Sequence, residues 1–218
     1  PRITVLTQPE NAGTYAARNL AISNSRGEYI TTHDSDDWMH PQRIERHVLP
    51  MMNDPKLMGT LSRAIRTTPN LLLSHLGFSP FRQNASSLTF RRDVINEIGF
   101  FDNVRKGADS EFDARISAWR PGSISLVGIE PLSIIRMGHD SLSRSEFKPM
   151  WNHPARQAYR SAYSRWHTKS KESGVSLFLD SVQNVRKFCA PTRFVNSSAP
   201  SGIFIASLLH VTFSDLYT

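Results

Sequence analysis

The stretch "GEYITTHDSDDWMHP", residues 27–41, sets a strand directly against a crowd of negative charge. Tyr29 to His33 read as a buried strand, with β-branched and aromatic residues following the break at Gly27. Asp34, Asp36 and Asp37 then fall within four positions. Carboxylates this close repel one another, and the crowding brings a fold nothing unless a cation sits among them. Pro41 suits the first turn of a helix, and "PQRIERHVLPMM" places Ile44, Val48 and Met51 on one stripe. A strand that ends in an acidic loop before a helix is where α/β sheets place their ligand sites. Asp34 and Asp36 point the same way if the loop stays extended. They would then clasp a metal–diphosphate through Mn2+ or Mg2+, hard cations that take oxygen ligands. Taken alone, the same residues also read as an Asp-rich turn capping the helix at Pro41.

Outward from this stretch the chain alternates. "RITVL" (2–6) reads as a strand, and Ala17, Leu20 and Ala21 recur at helical spacing between Thr14 and Ser23. Downstream, "ASSLTF" (85–90) reads as a strand and "RRDVINEIG" as a short helix stopped by Gly99. "DSEFDARISAW" follows as a helix with Phe112, Ile116 and Trp119 on one face, then "SISLV" and "PLSIIR" as two late strands. Strands alternating with helices define an α/β layer architecture, and no internal repeat interrupts it. Beyond about Ser145 the strand signals fade. "HPARQAYRSAYSRWHTKSK" reads as one amphipathic helix carrying Tyr159, Ala162, Tyr163 and Trp166 on a stripe. Such a stripe either packs on the rest of the molecule with solvated edges or lies at an interface near anionic lipid or a lipid-phosphate acceptor.

The composition, 39% apolar and 21% charged over 218 residues, is that of a globular protein with a real core, not of a disordered or fibrous one. The single cysteine, Cys189, cannot form an internal disulfide, which favours a reducing compartment. The apolar run "GIFIASLLHVTF" (202–213) is shorter than the about 20 residues of a membrane span. Of the net charge of +7, most sits in residues 151–218, with eight Lys/Arg against three acids. A basic tail suits a polyanionic partner or an acidic membrane surface, or is simply solvated. Nucleic acid is not an expected partner, because the charge comes without a zinc, helix-turn-helix or aromatic RNP-type signature. The start at Pro1, almost at once in a strand, gives the look of a piece cut from something longer, and no signal peptide is visible.

From Asn11 to Val48 the chain resembles the central block of family 2 glycosyltransferases of GT-A fold. The N-x-G-x-x-x-A-R-N segment is Asn11, Gly13 and Ala17-Arg18-Asn19; the G-E-Y-I strand is Gly27-Glu28-Tyr29-Ile30; the D-x-D-D tail is Asp34-Ser35-Asp36-Asp37. "NASSLTFRRDVINEIGFFD" (84–102) is similar to the family's acceptor-side strand and helix, "KGADSEFDARI" to its G-x-D-x-E helix start, and "IIRMGHDSLS" to its closing segment. The match runs over roughly residues 2–145.

The resemblance implies a GT-A-like (Rossmann-like) mixed sheet flanked by helices, lacking its first strand or strands. Residues 1–145 are then the partial catalytic domain and 146–218 a basic, mainly helical extension. It implies an inverting, metal-dependent transfer from a nucleotide-diphosphate sugar to a saccharide or lipid-linked acceptor, in cell-surface polysaccharide synthesis. The setting would be cytoplasmic, or peripheral at the inner face of the membrane through the basic tail helix. Asp36 would bind Mn2+ or Mg2+ with His139 as a third ligand or a phosphate contact. Asp34, Arg18, Asn11 and Gly13 would face the donor; Asp109 would be the general base, with Glu111 supporting it or binding acceptor. Three features depart from the pattern: Ala108 stands where an acid is usual, His33 where an apolar residue is, and the first strand with its nucleoside-binding loop would precede residue 1. Ala108 and the missing start keep a second expectation open, a non-catalytic GT-A-like module that binds glycan or scaffolds an assembly.

Overall fold

The computed structural model describes residues 3–73, 81–137, 153–195 and, for the backbone alone, 205–209. Its central strand is β4 (Gly59–Thr67), counted after β1 (Ile3–Thr7), β2 (Tyr29–Thr31) and β3 (Trp38–Met39). On one side β4 pairs antiparallel with β5 (Phe81–Arg91), and on the other parallel with β6 (Ile124–Arg136). β2 and β3 close the two edges, antiparallel to β5 and β6, giving the order β2-β5-β4-β6-β3. Helices α1 (Thr14–Asn24), α2 (Arg43–Asn53), α3 (Asp93–Ile98), α4 (Ala108–Trp119) and α5 (Pro154–Glu172) flank this sheet. The expected GT-A-like architecture, a mixed sheet between helices, is the one observed.

Three differences from the sequence expectations have physical causes. β4, the strand at the middle of the sheet, carries no apolar alternation: Thr60 and Ser62 are buried beside Leu61 and Ala64, with Thr60 Oγ1 donating to His47 O and Ser62 N–H to Ser87 Oγ. The two late strands are one, β6, broken in register around Gly128 at φ 64, so that it pairs with β4 in two segments. The apolar run near the end supplies a strand, β7 (Ile205–Leu209), which pairs antiparallel with β1 from Ile3↔Leu209 to Thr7↔Ile205. No helix among the described residues is long and apolar enough to cross a membrane.

The core explains the tail. Phe112 of α4 meets Phe101 at 4.4 Å and Phe90 of β5 at 5.1 Å between ring centroids. Tyr159 and Tyr163 of α5 are buried in the same cluster, with Leu177, Leu179, Phe188 and Phe194. Trp166 stacks on Phe188. The aromatic stripe of α5 is therefore spent on the core, the packed alternative of the two readings above. Polar ties complete the seam. Tyr159 Oη donates to Asp102 Oδ2 (2.7 Å), Arg186 pairs with the same oxygen (2.6 Å), and Phe100 and Leu179 bond through their backbones.

Candidate active site

The acidic loop is a turn. Asp37 N–H donates to Asp34 O at 3.2 Å, so Asp34, Asp36 and Asp37 stand on one tight bend after β2. Each carboxylate has a different fate. Asp34 Oδ1 takes the guanidinium of Arg18 at 2.8 Å. Asp37 Oδ1 accepts the N–H of Arg136 at 3.0 Å, and burial, reinforced by the charges of Asp34 and Asp36, pushes its carboxyl up to about 6. Asp36 is exposed.

What holds this bend is Arg43, at the start of α2 and buried. Its guanidinium donates to Thr31 Oγ1, Thr32 O and Ser87 O at 3.1–3.3 Å and contacts His33 Nδ1 at 3.2 Å. It thereby pins the end of β2 to β5. Burial first, then the nearby Arg18, lowers its guanidinium to about 10. Sequence reasoning missed Arg43. The one signal was its spacing with His47 and Met51, which are buried with it on one helix face.

Arg18 lies mid-helix in α1, buried, with its guanidinium 5.3 Å from the Tyr15 ring centroid. Burial opposes its charge, but Asp34, Tyr15 and Asp109 outweigh that and raise it above the ordinary arginine value. Its Nη1 is buried with no hydrogen-bond partner among the described residues. A buried arginine with one nitrogen on a carboxylate and the other unsatisfied is suited to an incoming phosphate. Asn11 and Gly13 sit at the entry to α1: Gly13 N–H donates to Asn11 Oδ1 (3.1 Å) and Gly13 takes φ 91, which a residue with a side chain rarely adopts. Here they shape the turn that launches Arg18.

Asp109 occupies the first turn of α4, with Ser86 Oγ donating to Oδ2 and Ser110 N–H to Oδ1, each at 2.8 Å. Ser86 lies where the β4–β5 register slips, a bulge of the kind that re-aims side chains beside active sites. Asp109 also acts electrostatically on Tyr15 and Arg18, as Asp34 does. The structure thus gathers Arg18, Asp34 and Asp109 around Tyr15, with Asp36 on the adjoining bend. Glu111 is not among them. It faces the core, fully buried, and its Oε1 meets Arg115 Nε at 3.1 Å and His167 Nε2 at 2.9 Å. The period of α4 turns residues two apart to different sides. His139 lies outside the described residues.

Among the described residues no group of three or more His, Cys, Asp or Glu forms a ready metal cage. With Asp34 Oδ1 and Asp37 Oδ1 engaged by Arg18 and by the Arg136 N–H, Asp36 is the exposed carboxylate of the three. That donor set fits Mn2+ or Mg2+ held jointly by one or two carboxylates and substrate phosphates, rather than by protein alone.

Comparison with known proteins gives the family. Residues 1–109 match the profile described as Glycosyl transferase family 2. The glycosyltransferase GlyA of Streptococcus pneumoniae is 29% identical over 122 residues, 54% of this chain and 16% of that protein. Chondroitin synthase of Pasteurella multocida is 29% identical over 83 residues, 37% of this chain and 8% of the synthase. An uncharacterized glycosyltransferase of Haemophilus influenzae is 33% identical over 57 residues, 26% of this chain and 23% of its own length. The match thus spans less than a quarter of each of these relatives.

Proposed function

The chain belongs to glycosyl transferase family 2, and from that premise we propose that it carries the metal and acceptor side of an inverting glycosyltransferase. The donor is a nucleotide-diphosphate sugar, the acceptor a glycan or lipid-linked saccharide, and the product a cell-surface polysaccharide. The observation that carries the reading is Arg18: buried, paired to Asp34, coupled to Asp109, and still holding an unsatisfied nitrogen. It stands ready for a diphosphate between a donor-side and an acceptor-side carboxylate.

Arg18 receives donor phosphate, and Asp34 orients Arg18 and contacts donor sugar or ribose. Asp109, oriented by Ser86 and Ser110, accepts the proton of the acceptor hydroxyl. The hydroxyl oxygen then attacks the anomeric carbon from the face opposite the leaving group. One glycosidic bond forms, the bond to the diphosphate breaks, and the anomeric configuration inverts. Asp36 would hold Mn2+ or Mg2+, whose positive charge would offset that of the diphosphate. Holding the two substrates in line supplies much of the rate. The relatives named as a chondroitin synthase and a hyaluronan synthase support a glycan product.

Asp109→Asn tests the assignment. Transfer to acceptor should fall on the order of 10²–10⁴-fold, the usual loss on removing a general base, while calorimetric donor affinity stays nearly constant. Collapse of donor affinity would make Asp109 a donor ligand instead.

A further inference from the structure

Two residues of α1 grip one neighbour, and a third projects between them. Tyr15 and Asn19, one helical turn apart and both buried, each hold Phe101. The Tyr15 ring lies 5.8 Å from the Phe101 ring, centroid to centroid. The Asn19 amide exchanges a pair of hydrogen bonds with the Phe101 backbone: Phe101 N–H donates to Oδ1 at 3.0 Å, and Nδ2 donates to Phe101 O at 2.9 Å. Phe101 is fixed in turn by the rings of Phe90 and Phe112. The Tyr15 ring is thereby anchored in the aromatic core.

Arg18 leaves the helix between these grips. Its guanidinium carbon stands over the Tyr15 ring, 5.3 Å from the centroid, and its Nη2 donates to Asp34 Oδ1 at 2.8 Å. A buried cation has lost its water and needs other partners. Asp34 meets one edge of the guanidinium, in its plane. The ring meets the flat face, where the negative face of a π-system attracts a cation. What remains is Nη1, buried with no hydrogen-bond partner among the described residues. A single hydrogen bond leaves a guanidinium free to turn about it. A ring under the flat face fixes the plane, and with the plane the direction of Nη1. The sequence gives no hint of this, because Tyr15 falls on an unspecified position of the N-x-G-x-x-x-A-R-N segment.

We infer that Tyr15 is a positioning residue, whose ring fixes the plane of the Arg18 guanidinium so that Nη1 meets a phosphate oxygen of the donor. The inference rests on Arg18 as the phosphate ligand and adds the residue that sets its aim. The contact belongs to the ring face, so a phenylalanine supplies it as well as a tyrosine.

The test titrates the full chain with inorganic pyrophosphate by calorimetry. Arg18→Gln sets the floor and should bind at least about tenfold more weakly than the unchanged chain, since a charge-assisted contact is lost. Tyr15→Phe should bind within about twofold of the unchanged chain. Tyr15→Leu keeps apolar bulk without the ring face and should bind about tenfold more weakly, as for a desolvated cation over a ring. Because Tyr15 belongs to the core, pentafluorophenylalanine in its place gives a second measure. It keeps the shape of phenylalanine but withdraws charge from the face, so affinity should fall toward that of Tyr15→Leu while the urea midpoint stays that of Tyr15→Phe. A ring with a merely structural role would not lose affinity while keeping stability. The inference is overturned if the fluorinated chain binds like Tyr15→Phe, if Tyr15→Phe is as weak as Tyr15→Leu, or if affinity simply follows the urea midpoint. Pyrophosphate binding that is absent from the unchanged chain, or that survives in Arg18→Gln, overturns Arg18 as the phosphate ligand and this inference with it. Binding that is lost in Arg18→Gln yet indifferent to the ring removes Tyr15 alone.

Discussion

At the scale of single residues, the three aspartates of one bend differ because their partners differ. Asp36 is exposed and is the proposed metal ligand, so Asp36→Asn should abolish stimulation of donor binding by Mn2+ while leaving the unfolding midpoint unchanged or slightly higher. Full stimulation in that variant would remove Asp36 from the metal. Asp37 makes a separate prediction. Its carboxyl is raised to about 6, chiefly by burial, whereas in an unfolded chain it titrates near about 4. The folded state then binds the extra proton between those values, so stability rises as pH falls through that window and the penalty is complete above it. Asp113, also raised to about 6 by burial and by Asp109, adds in the same direction. Asp37→Asn keeps an oxygen for the Arg136 N–H, so it should stabilise the chain at neutral pH by roughly 1 kcal/mol after allowing for solvent screening. It should also flatten the pH dependence between about 4 and 6. Urea midpoints across that range check both.

Among the elements, the junction between α3 and the tail is the tightest point. Gly99 takes φ 76, and a Cβ there would lie 2.0 Å from the carbonyl oxygen of Leu179. Gly99→Ala should therefore cost at least about 3 kcal/mol, strain and collision together. Gly174→Ala, at φ 64 with nothing within 4 Å, should cost only about 1 kcal/mol of strain. Comparing the two by denaturant unfolding separates collision from conformation, and equal losses would mean the segment at Leu179 simply moves away. These elements also show what the sequence could reveal. Strands with apolar neighbours and helices with stripes were legible, as were the positions of Asp34, Arg18 and Asp109 from ordered motifs. β4 was not, because its burial is shared with threonine, serine and alanine, and Thr60 and Ser62 find their partners in His47 and Ser87, distant along the chain. Ser86 and Arg43 were not, because their importance lies in partners distant along the chain: Asp109 for one, Thr31, Thr32 and Ser87 for the other. Glu111 shared a motif with Asp109 yet points the other way, since a motif fixes spacing and the helix fixes direction.

Across the whole molecule, residues from Tyr15 to Phe194 contribute to one core cluster, so unfolding should be a single cooperative transition. Circular dichroism and tryptophan fluorescence, with Trp119 and Trp166 on either side of the seam, should report the same midpoint; two separated midpoints would show halves that melt independently. Arg115 has the widest reach, donating to Ile98 O and Leu177 O while pairing with Glu111, which in turn meets His167. During translation this has a timing consequence. Residue 115 leaves the ribosome dozens of residues before 167 and 177, a wait of several seconds at about 5–20 residues per second. Through that interval the nascent chain holds a charged pair that cannot yet be enclosed and aromatic rings with nothing to cover them. The packing around α4 is therefore completed only after residues 154–194 have been made.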